Sequence, residues 1–182
     1  MVYLFLANGF EEIEALCPLD LLRRAGAEVR TVAITAEGRA VTGAHGITVM
    51  ADLAADEFPP DADAEMLILP GGMPGAANLN ASPVVDAAIA RAVQNGAYLA
   101  AICAAPMILG RRGLLAGCEA TCFPGFEDEL KGAMLTTARV VRDGKIITAA
   151  GMGVALEFGL ALVAELYGED RADALRTAVL AD

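Results

Sequence analysis

Short apolar runs alternate with amphipathic segments in the first part of the chain. The runs VYLFLA from Val2, AEVRTVAI over Ala27–Ile34 and EMLILPGG over Glu65–Gly72 have the length and composition of strands buried on both faces of a parallel sheet. Between the first two runs, Glu12–Ala25 carries apolar residues at helical spacing, and Gly26 follows as a C-terminal cap. A strand–helix–strand order of this kind predicts a parallel sheet with right-handed crossovers.

The same alternation continues to the end of the chain. Ser82 and Pro83 form a helix start, with a capping hydroxyl followed by proline at the first helical position. The further predicted elements are a hairpin over Arg39–Ala51, a helix from Pro83 to about Asn95, strands over Ala97–Ile102, Arg139–Gly144 and Lys145–Ala150, and helices over Ala104–Arg112, Val154–Tyr167 and Asp170–Leu180. The pattern predicts one domain over residues 1–182, an α/β sandwich with helices on both faces of a mostly parallel sheet.

Three of the predicted strands end in segments that are not ordinary loops. ANGFEEIE follows the first strand, PGGMPG follows the EMLIL strand, and CAAP follows Ala97–Ile102. Ligands in open parallel sheets lie beyond the carboxyl ends of the strands. We therefore expect these three segments to meet at one edge of the sheet and to form the functional site.

Composition narrows the function classes. The 182 residues are 56% hydrophobic, but no apolar run reaches the roughly 18 residues of a membrane span. The start MVYLFLANGFEE lacks the basic region of a signal peptide, so we expect a cytoplasmic protein. The formal net charge of -11 argues against a nucleic-acid partner, because phosphate neutralisation needs clustered Lys and Arg. Of the four cysteines and one histidine, no group has metal-site spacing, and we expect no disulfide framework.

Cys103, in the segment AAICAAPMIL, lies at the junction of a predicted strand and a predicted helix. Free cysteine is among the most buried residue types, so simple packing explains this position. Alternatively, a cysteine on a strand-to-helix turn lies near a helix N-terminus, whose partial positive charge favours the thiolate. Position alone leaves the two interpretations about even.

Five segments together resemble the ThiJ/PfpI superfamily, in the family's order and spacing. They are GFEEIEAL (Gly9–Leu16), LLRRAG (Leu21–Gly26), LPGGMPGAANL (Leu69–Leu79), AAICAAP (Ala100–Pro106) and TAAGMGVALEFGLALVAEL (Thr148–Leu166). The similarity is greatest to the branch of small single-domain members that includes the human parkinsonism-associated protein and bacterial YajL. It implies a flavodoxin-like three-layer sandwich of the class I glutamine amidotransferase type, usually a homodimer, with no metal and no organic cofactor.

The resemblance also implies roles for individual residues. Cys103 matches the family's nucleophile, and Glu14 matches its acidic partner. By the same match, the backbone N–H groups of Gly72 and Ala104 form an oxyanion pocket, and Gly71 allows the close approach of backbone that this pocket needs. A protonated Glu14 would donate to the thiolate, whereas an ionised Glu14 would raise the pKa of the thiol.

Position 123 departs from the family pattern. Phe123 stands where relatives often carry a histidine beside the cysteine, so no Cys-His-acid triad is available nearby. The single histidine, His45, lies in the predicted hairpin. By resemblance this hairpin and Arg24 approach the dimer interface, and we expect His45 to reach the pocket of the partner subunit.

These residues predict a cofactor-independent glyoxalase or deglycase that acts on small aldehydes, such as methylglyoxal, or on their glycated adducts. Cys103 would attack the aldehyde, Glu14 would move a proton between the two adjacent carbons, and water would release lactate. The alternative is a redox-responsive or chaperone-like stress protein in which Cys103 is oxidised to a sulfinate. A third hypothesis is an intracellular cysteine peptidase, which the phenylalanine at position 123 disfavours.

Overall fold

The computed structural model describes residues 1–181. Its helices are α1 (Glu12–Ala25), α2 (Gly75–Ala81), α3 (Pro83–Asn95), α4 (Pro106–Arg111), α5 (Ala155–Tyr167) and α6 (Glu169–Ala178). Its strands are β1 (Val2–Ala7), β2 (Val29–Ile34), β3 (Ala40–Thr42), β4 (Thr48–Met50), β5 (Leu53–Ala54), β6 (Met66–Leu69), β7 (Tyr98–Ile102), β8 (Glu119–Ala120), β9 (Met134–Leu135), β10 (Val140–Asp143) and β11 (Ile146–Ala149). None of the helices described is long and apolar enough to cross a membrane.

The central sheet has seven strands in the order β10-β11-β7-β6-β1-β2-β5. All neighbouring pairs are parallel except the edge pair of β10 and β11, which forms an antiparallel hairpin. Strands β3 and β4 form the hairpin predicted over Arg39–Ala51, which lies outside this sheet. The flavodoxin-like α/β sandwich expected from the sequence is therefore confirmed.

Alternate residues of the central strands face opposite sides of the sheet. On β1, Leu4 packs with the layer that contains α1, α5 and α6, while Phe5 packs with the layer that contains α2, α3 and α4. Both side chains are fully buried. This is why the first strand is a continuous apolar run rather than an alternating one.

The predicted helix ends are present where local chemistry specifies them. Gly26 closes α1 with a φ of 91°, and its N–H bonds back to Arg23 and Leu22. The Ser82 hydroxyl accepts from the Val85 N–H at 3.4 Å and caps α3.

Other elements differ from the sequence prediction. The helix expected over Ala104–Arg112 begins only at Pro106, because Ala104 and Ala105 lie in the turn that follows Cys103. Helix α2 was not predicted, since GAANLNA is only seven residues long, has a single large apolar side chain, Leu79, and buries only Gly75, Ala76 and Leu79. The two-residue strands β8 and β9 pair with each other and carry too few residues for a periodic signal.

Close packing of α1 against α5 predicts a cost for any side chain at Gly159. A Cβ there would lie 2.6 Å from Leu21 Cδ1 and 2.9 Å from Pro18 Cα. We expect Gly159→Ala to lower the free energy of unfolding in urea by about 1–3 kcal/mol through overpacking, although alanine has the higher helix propensity. Gly153→Ala is the control, because a Cβ at Gly153 meets no atom within 4 Å. Equal losses in the two variants would contradict the close contact.

Candidate active site

Cys103 follows β7 directly and has a left-handed backbone conformation, with a φ of 64°. Few residues other than glycine adopt this conformation, and those that do are held there by their surroundings. Here the Cys103 N–H donates to the Ala149 carbonyl at 2.9 Å, and the Cys103 carbonyl accepts from the Phe123 N–H at 2.9 Å. The turn thus presents a partly exposed thiol at the carboxyl edge of the sheet.

Glu14 reaches the same point from the first turn of α1. Its side chain is fully buried, with 0% exposure. One carboxyl oxygen, Oε2, accepts from the Gly71 N–H at 3.0 Å. The other, Oε1, is buried without a partner of good hydrogen-bond geometry among the described residues. A buried oxygen in this position is stabilised when it carries a proton or shares one with a neighbour.

Gly71 lets the carboxyl and the thiol come together. A Cβ at this position would lie 2.5 Å from Glu14 Oε2 and 2.7 Å from Cys103 Cβ. The Gly71 carbonyl also accepts from the Glu11 N–H at 3.0 Å, which ties the β6 turn to the start of α1. The site therefore requires glycine here for space rather than for backbone freedom.

Burial raises the pKa of both acidic groups, Glu14 and Cys103. Burial raises the pKa of Glu14 to about 7, with the charge of Glu11 adding to the effect. Burial and the neighbouring Glu14 carboxyl raise the pKa of the Cys103 thiol to about 12. The low thiol pKa that a helix N-terminus favours is therefore not reached. Values for such a pair belong to the pair as a whole: it loses its first proton near pH 7 and holds the second far above neutrality.

The backbone N–H groups of Ala104 and Gly72 oppose this rise in the pKa of the Cys103 thiol. Both donate toward the Cys103 sulfur and lower its pKa, which favours the thiolate. Gly72 has a φ of 83°, and a Cβ there would collide with the Glu11 N–H and the Gly9 carbonyl. Two fixed donors at the sulfur are suited to stabilise negative charge that develops beside it.

The structure thus brings together five residues that the sequence singled out: Cys103, Glu14, Gly71, Gly72 and Ala104. Phe123 joins them, because its backbone bonds to Cys103 and its ring lies 3.1 Å from the Cβ position of Gly151. That position is in turn 4.0 Å from the Cys103 sulfur. Gly151, which sequence reasoning did not single out, therefore forms one wall of the site.

His45 does not lie beside Cys103 in its own chain. Its Nδ1 is 2.9 Å from Glu12 Oε2, and its backbone N–H donates to Glu12 Oε1 at 2.8 Å. Glu12 is buried, and these contacts fix the β3–β4 hairpin to α1. No local sequence signal marks this pairing, since the two residues are 33 positions apart. A contact of His45 with a partner subunit stays a prediction.

Among residues 1–181, one group of acidic and histidine side chains has ligand atoms close enough to hold a metal ion, within 4.8 Å of one another. The group consists of Glu11, Glu12 and His45. Both carboxylates are already engaged, because Glu11 Oε2 accepts from the Glu14 N–H at 2.8 Å and Glu12 binds His45. Their proximity is explained by these hydrogen bonds.

Arg24 lies near the opposite end of α1 from Glu14. Ten residues of helix correspond to about 15 Å. Its Nε is 2.6 Å from Asp20, and it lines a separate cavity of about 280 Å³ beside Cys17 and Leu156. Arg24 therefore lies away from the Cys103 site of its own chain, and its approach to the dimer interface stays a prediction.

Comparisons with known proteins identify the family and support the fold. The DJ-1/PfpI family profile matches residues 1–165. The chain is 35% identical to "Protein DJ-1 homolog A" of Arabidopsis thaliana over 178 residues, which is 96% of this chain and 45% of that protein. It thus spans less than half of that relative. It is 37% identical to "Deglycase TK1284" of Thermococcus kodakarensis, covering 84% of this chain and 90% of that one. The structure of oxidized Toxoplasma gondii DJ-1 superposes with a TM-score of 0.93 at 34% identity, over 98% and 97% of the two chains.

The shared proton predicts a distinctive pH dependence of thiol reactivity. Below pH 7 both groups of the pair are protonated, and above it a single proton remains, so that thiolate with protonated Glu14 becomes accessible. We expect the alkylation rate of Cys103 by iodoacetamide to rise about tenfold per pH unit below 7 and then to level off. In Glu14→Gln, which cannot ionise, this step near pH 7 should be lost.

Peptide mass spectrometry reads each cysteine separately in the same samples. Cys17 is the internal control, because its pKa is raised by burial and by Asp20 and does not involve Glu14. Identical Cys103 profiles in the parent protein and in Glu14→Gln would contradict the shared proton.

Proposed function

Because the chain belongs to the DJ-1/PfpI family, we propose that it is a cysteine-dependent enzyme that detoxifies reactive dicarbonyls, of the glyoxalase or deglycase type. The observation that carries the proposal is the fully buried Glu14 carboxyl, one oxygen of which has no partner of good hydrogen-bond geometry among the described residues, beside a partly exposed Cys103. A carboxyl that titrates near pH 7 is suited to both donate and accept a proton at neutrality. The name "deglycase" of the Thermococcus relative supports the same reaction class.

In the proposed first step, the Cys103 thiolate attacks the aldehyde carbon of methylglyoxal. The carbonyl electron pair moves to oxygen, where the N–H groups of Gly72 and Ala104 stabilise the charge. Protonated Glu14 then gives its proton to this oxygen. The product is a hemithioacetal, and Glu14 is left as a carboxylate able to act as a base.

In the second step, the Glu14 carboxylate removes the proton from the carbon bonded to sulfur, which gives an enediolate. Glu14 returns that proton to the adjacent carbon, and the hydroxyl proton of the first carbon moves to the second oxygen. The result is a lactoyl thioester of Cys103. Water hydrolyses it to lactate and free thiol, so methylglyoxal and water give lactate with no external oxidant.

The test is lactate formation from methylglyoxal in a buffer that lacks amines and thiols. We expect Cys103→Ser to abolish turnover and Glu14→Gln to lower kcat at least about 100-fold, the scale of a lost general acid–base group. Cys118→Ser is the matched control, because Cys118 is a partly exposed free cysteine with no place in the mechanism. Turnover by Cys103→Ser at the parent rate would rule the mechanism out.

A second candidate function is redox sensing at Cys103. The same N–H groups and the protonated Glu14 would hold the oxygens of a sulfinate by hydrogen bonds. The Toxoplasma relative has been solved in a form described as oxidized. A chaperone-like role stays a prediction of the resemblance.

Mild peroxide treatment followed by peptide mass spectrometry tests the second function. We expect Cys103 to gain two oxygen atoms before Cys17, Cys118 and Cys122 do. Cys103 has a hydrogen-bonded carboxyl and two backbone N–H groups at its sulfur. Burial raises the pKa of Cys122 to about 11, and no carboxyl of the described residues is hydrogen-bonded to that thiol. Equal oxidation of all four cysteines would remove the support for sensing.

We also propose that the chain forms a homodimer. Ile13 on α1 and Ile47 and Met50 beside it on the hairpin are 49%, 54% and 72% exposed. They belong to elements that Glu12 joins, so they supply apolar surface for a second copy of the chain. Cysteine peptidase activity stays disfavoured, because Phe123 adjoins Cys103 and His45 is bonded to Glu12.

A further inference from the structure

Exposed apolar side chains lie on each of the three loops that approach Cys103. Met73 follows Gly72, whose N–H group faces the sulfur, and Met152 follows the wall residue Gly151. The exposed fraction is 52% for Met73, 49% for Met152 and 47% for Phe123. We call Met73, Phe123 and Met152 the apolar rim. Large apolar side chains left exposed together at a reactive centre indicate a surface that a ligand covers.

The rim lies within reach of a substrate bonded to the sulfur. The Phe123 ring is 3.1 Å, and the Cys103 sulfur 4.0 Å, from the same point, the Cβ position of Gly151. Because Gly151 has no side chain, no atom occupies that point, and the Phe123 ring and the sulfur are at most about 7 Å apart. A substituent on the carbon next to the hemithioacetal carbon extends a few ångströms from the sulfur, so it can reach the Phe123 ring.

The charges around the site work against anionic substrates. Among residues 1–181, no cation contributes to the pKa of Cys103 or Glu14, and the charged neighbours that do contribute are Glu14 and Glu11. His45 is engaged by Glu12, Arg24 is paired with Asp20 near the far end of α1, and the chain carries a net charge of -11. A carboxylate or phosphate on the substrate would therefore meet like charge without a compensating partner.

We propose that the apolar rim is a specificity subsite for neutral 2-oxoaldehydes that carry a bulky apolar substituent, such as an aryl group, in preference to methylglyoxal and to anionic aldehydes such as glyoxylate. This inference rests on the proposed function and adds the substrate class. Phe123 is the central residue, because its ring is the part of the rim whose distance to the site is fixed by the structure. Met73 and Met152 supply flexible apolar surface on the flanking loops.

The test compares kcat/KM for phenylglyoxal and methylglyoxal in the parent protein and in Phe123→Ala, Phe123→Leu and Phe123→His. The ratio of kcat/KM for phenylglyoxal to kcat/KM for methylglyoxal is taken for each protein. This ratio cancels any effect of a variant on Cys103 and Glu14 that is common to both substrates. Val93→Ala is the control, since Val93 on α3 is equally exposed, at 47%, and lies on a helix that contributes nothing to the site. The hydrogen bond from position 123 to Cys103 is made by the backbone N–H and survives each substitution.

We expect Phe123→Ala and Phe123→His to lower the phenylglyoxal-to-methylglyoxal ratio about tenfold, the scale of a lost apolar contact in a binding pocket. Phe123→Leu, which keeps an apolar side chain, should retain most of the ratio, and Val93→Ala should retain all of it. Glyoxylate should be turned over more slowly than methylglyoxal by the parent protein. An unchanged ratio in Phe123→Ala, with both substrates turned over, would overturn the subsite.

A second measurement separates this inference from the proposed function. Alkylation of Cys103 by N-phenylmaleimide and by N-methylmaleimide is followed by peptide mass spectrometry, each rate being divided by that of a free cysteine peptide. The rim predicts a faster relative rate for the phenyl reagent, reduced about tenfold in Phe123→Ala. If neither dicarbonyl is turned over but this preference is present, the proposed function fails and the apolar subsite stands. If the preference is absent, the subsite fails whatever the activity.

Discussion

The site depends on one constraint: a fully buried carboxyl and a partly exposed thiol lie side by side, and together they hold a proton that neither can easily release. Burial alone would keep Glu14 protonated and Cys103 in the thiol form. The N–H groups of Gly72 and Ala104 are the opposing force, because they favour charge on the sulfur. The reactivity that we propose at neutral pH arises from this balance within the pair rather than from a low pKa of the thiol by itself.

The rest of the architecture serves to bring these groups to one point. Glu14 arrives on the first turn of α1, Gly71 at the end of β6 and Cys103 at the end of β7, and the parallel sheet places β1, β6 and β7 side by side. The contact has local costs: a left-handed backbone at Cys103 and a buried oxygen without a partner at Glu14. Such costs are tolerated where the surrounding core determines the conformation, as the buried layers on both faces of the sheet do here.

In the proposed function, chemistry and selectivity come from different parts of the same edge of the sheet. The acid, the thiol and the oxyanion donors belong to buried strand ends and turns, whereas the apolar rim belongs to the exposed residues that follow them. This division lets the reaction stay constant while the substrate changes, because a side chain such as Phe123 can be replaced without altering the backbone hydrogen bond that it makes to Cys103.

Local patterns were sufficient for much of the fold. The continuous apolar runs predicted the central parallel strands, and Gly26 and the Ser82–Pro83 pair predicted helix ends, because these features depend on burial and on backbone chemistry within a few residues. The sequence also singled out Cys103, Glu14, Gly71, Gly72 and Ala104 by their position at strand ends and by resemblance. Only the tertiary structure decided that Gly151 forms a wall of the site and that Glu12 binds His45 across 33 positions. It also decided that Arg24 lies away from the Cys103 site of its own chain. Burial, which raises the pKa of both Glu14 and Cys103, is likewise a property of the folded chain. These depend on distances and desolvation between segments remote in the chain, which no local pattern encodes.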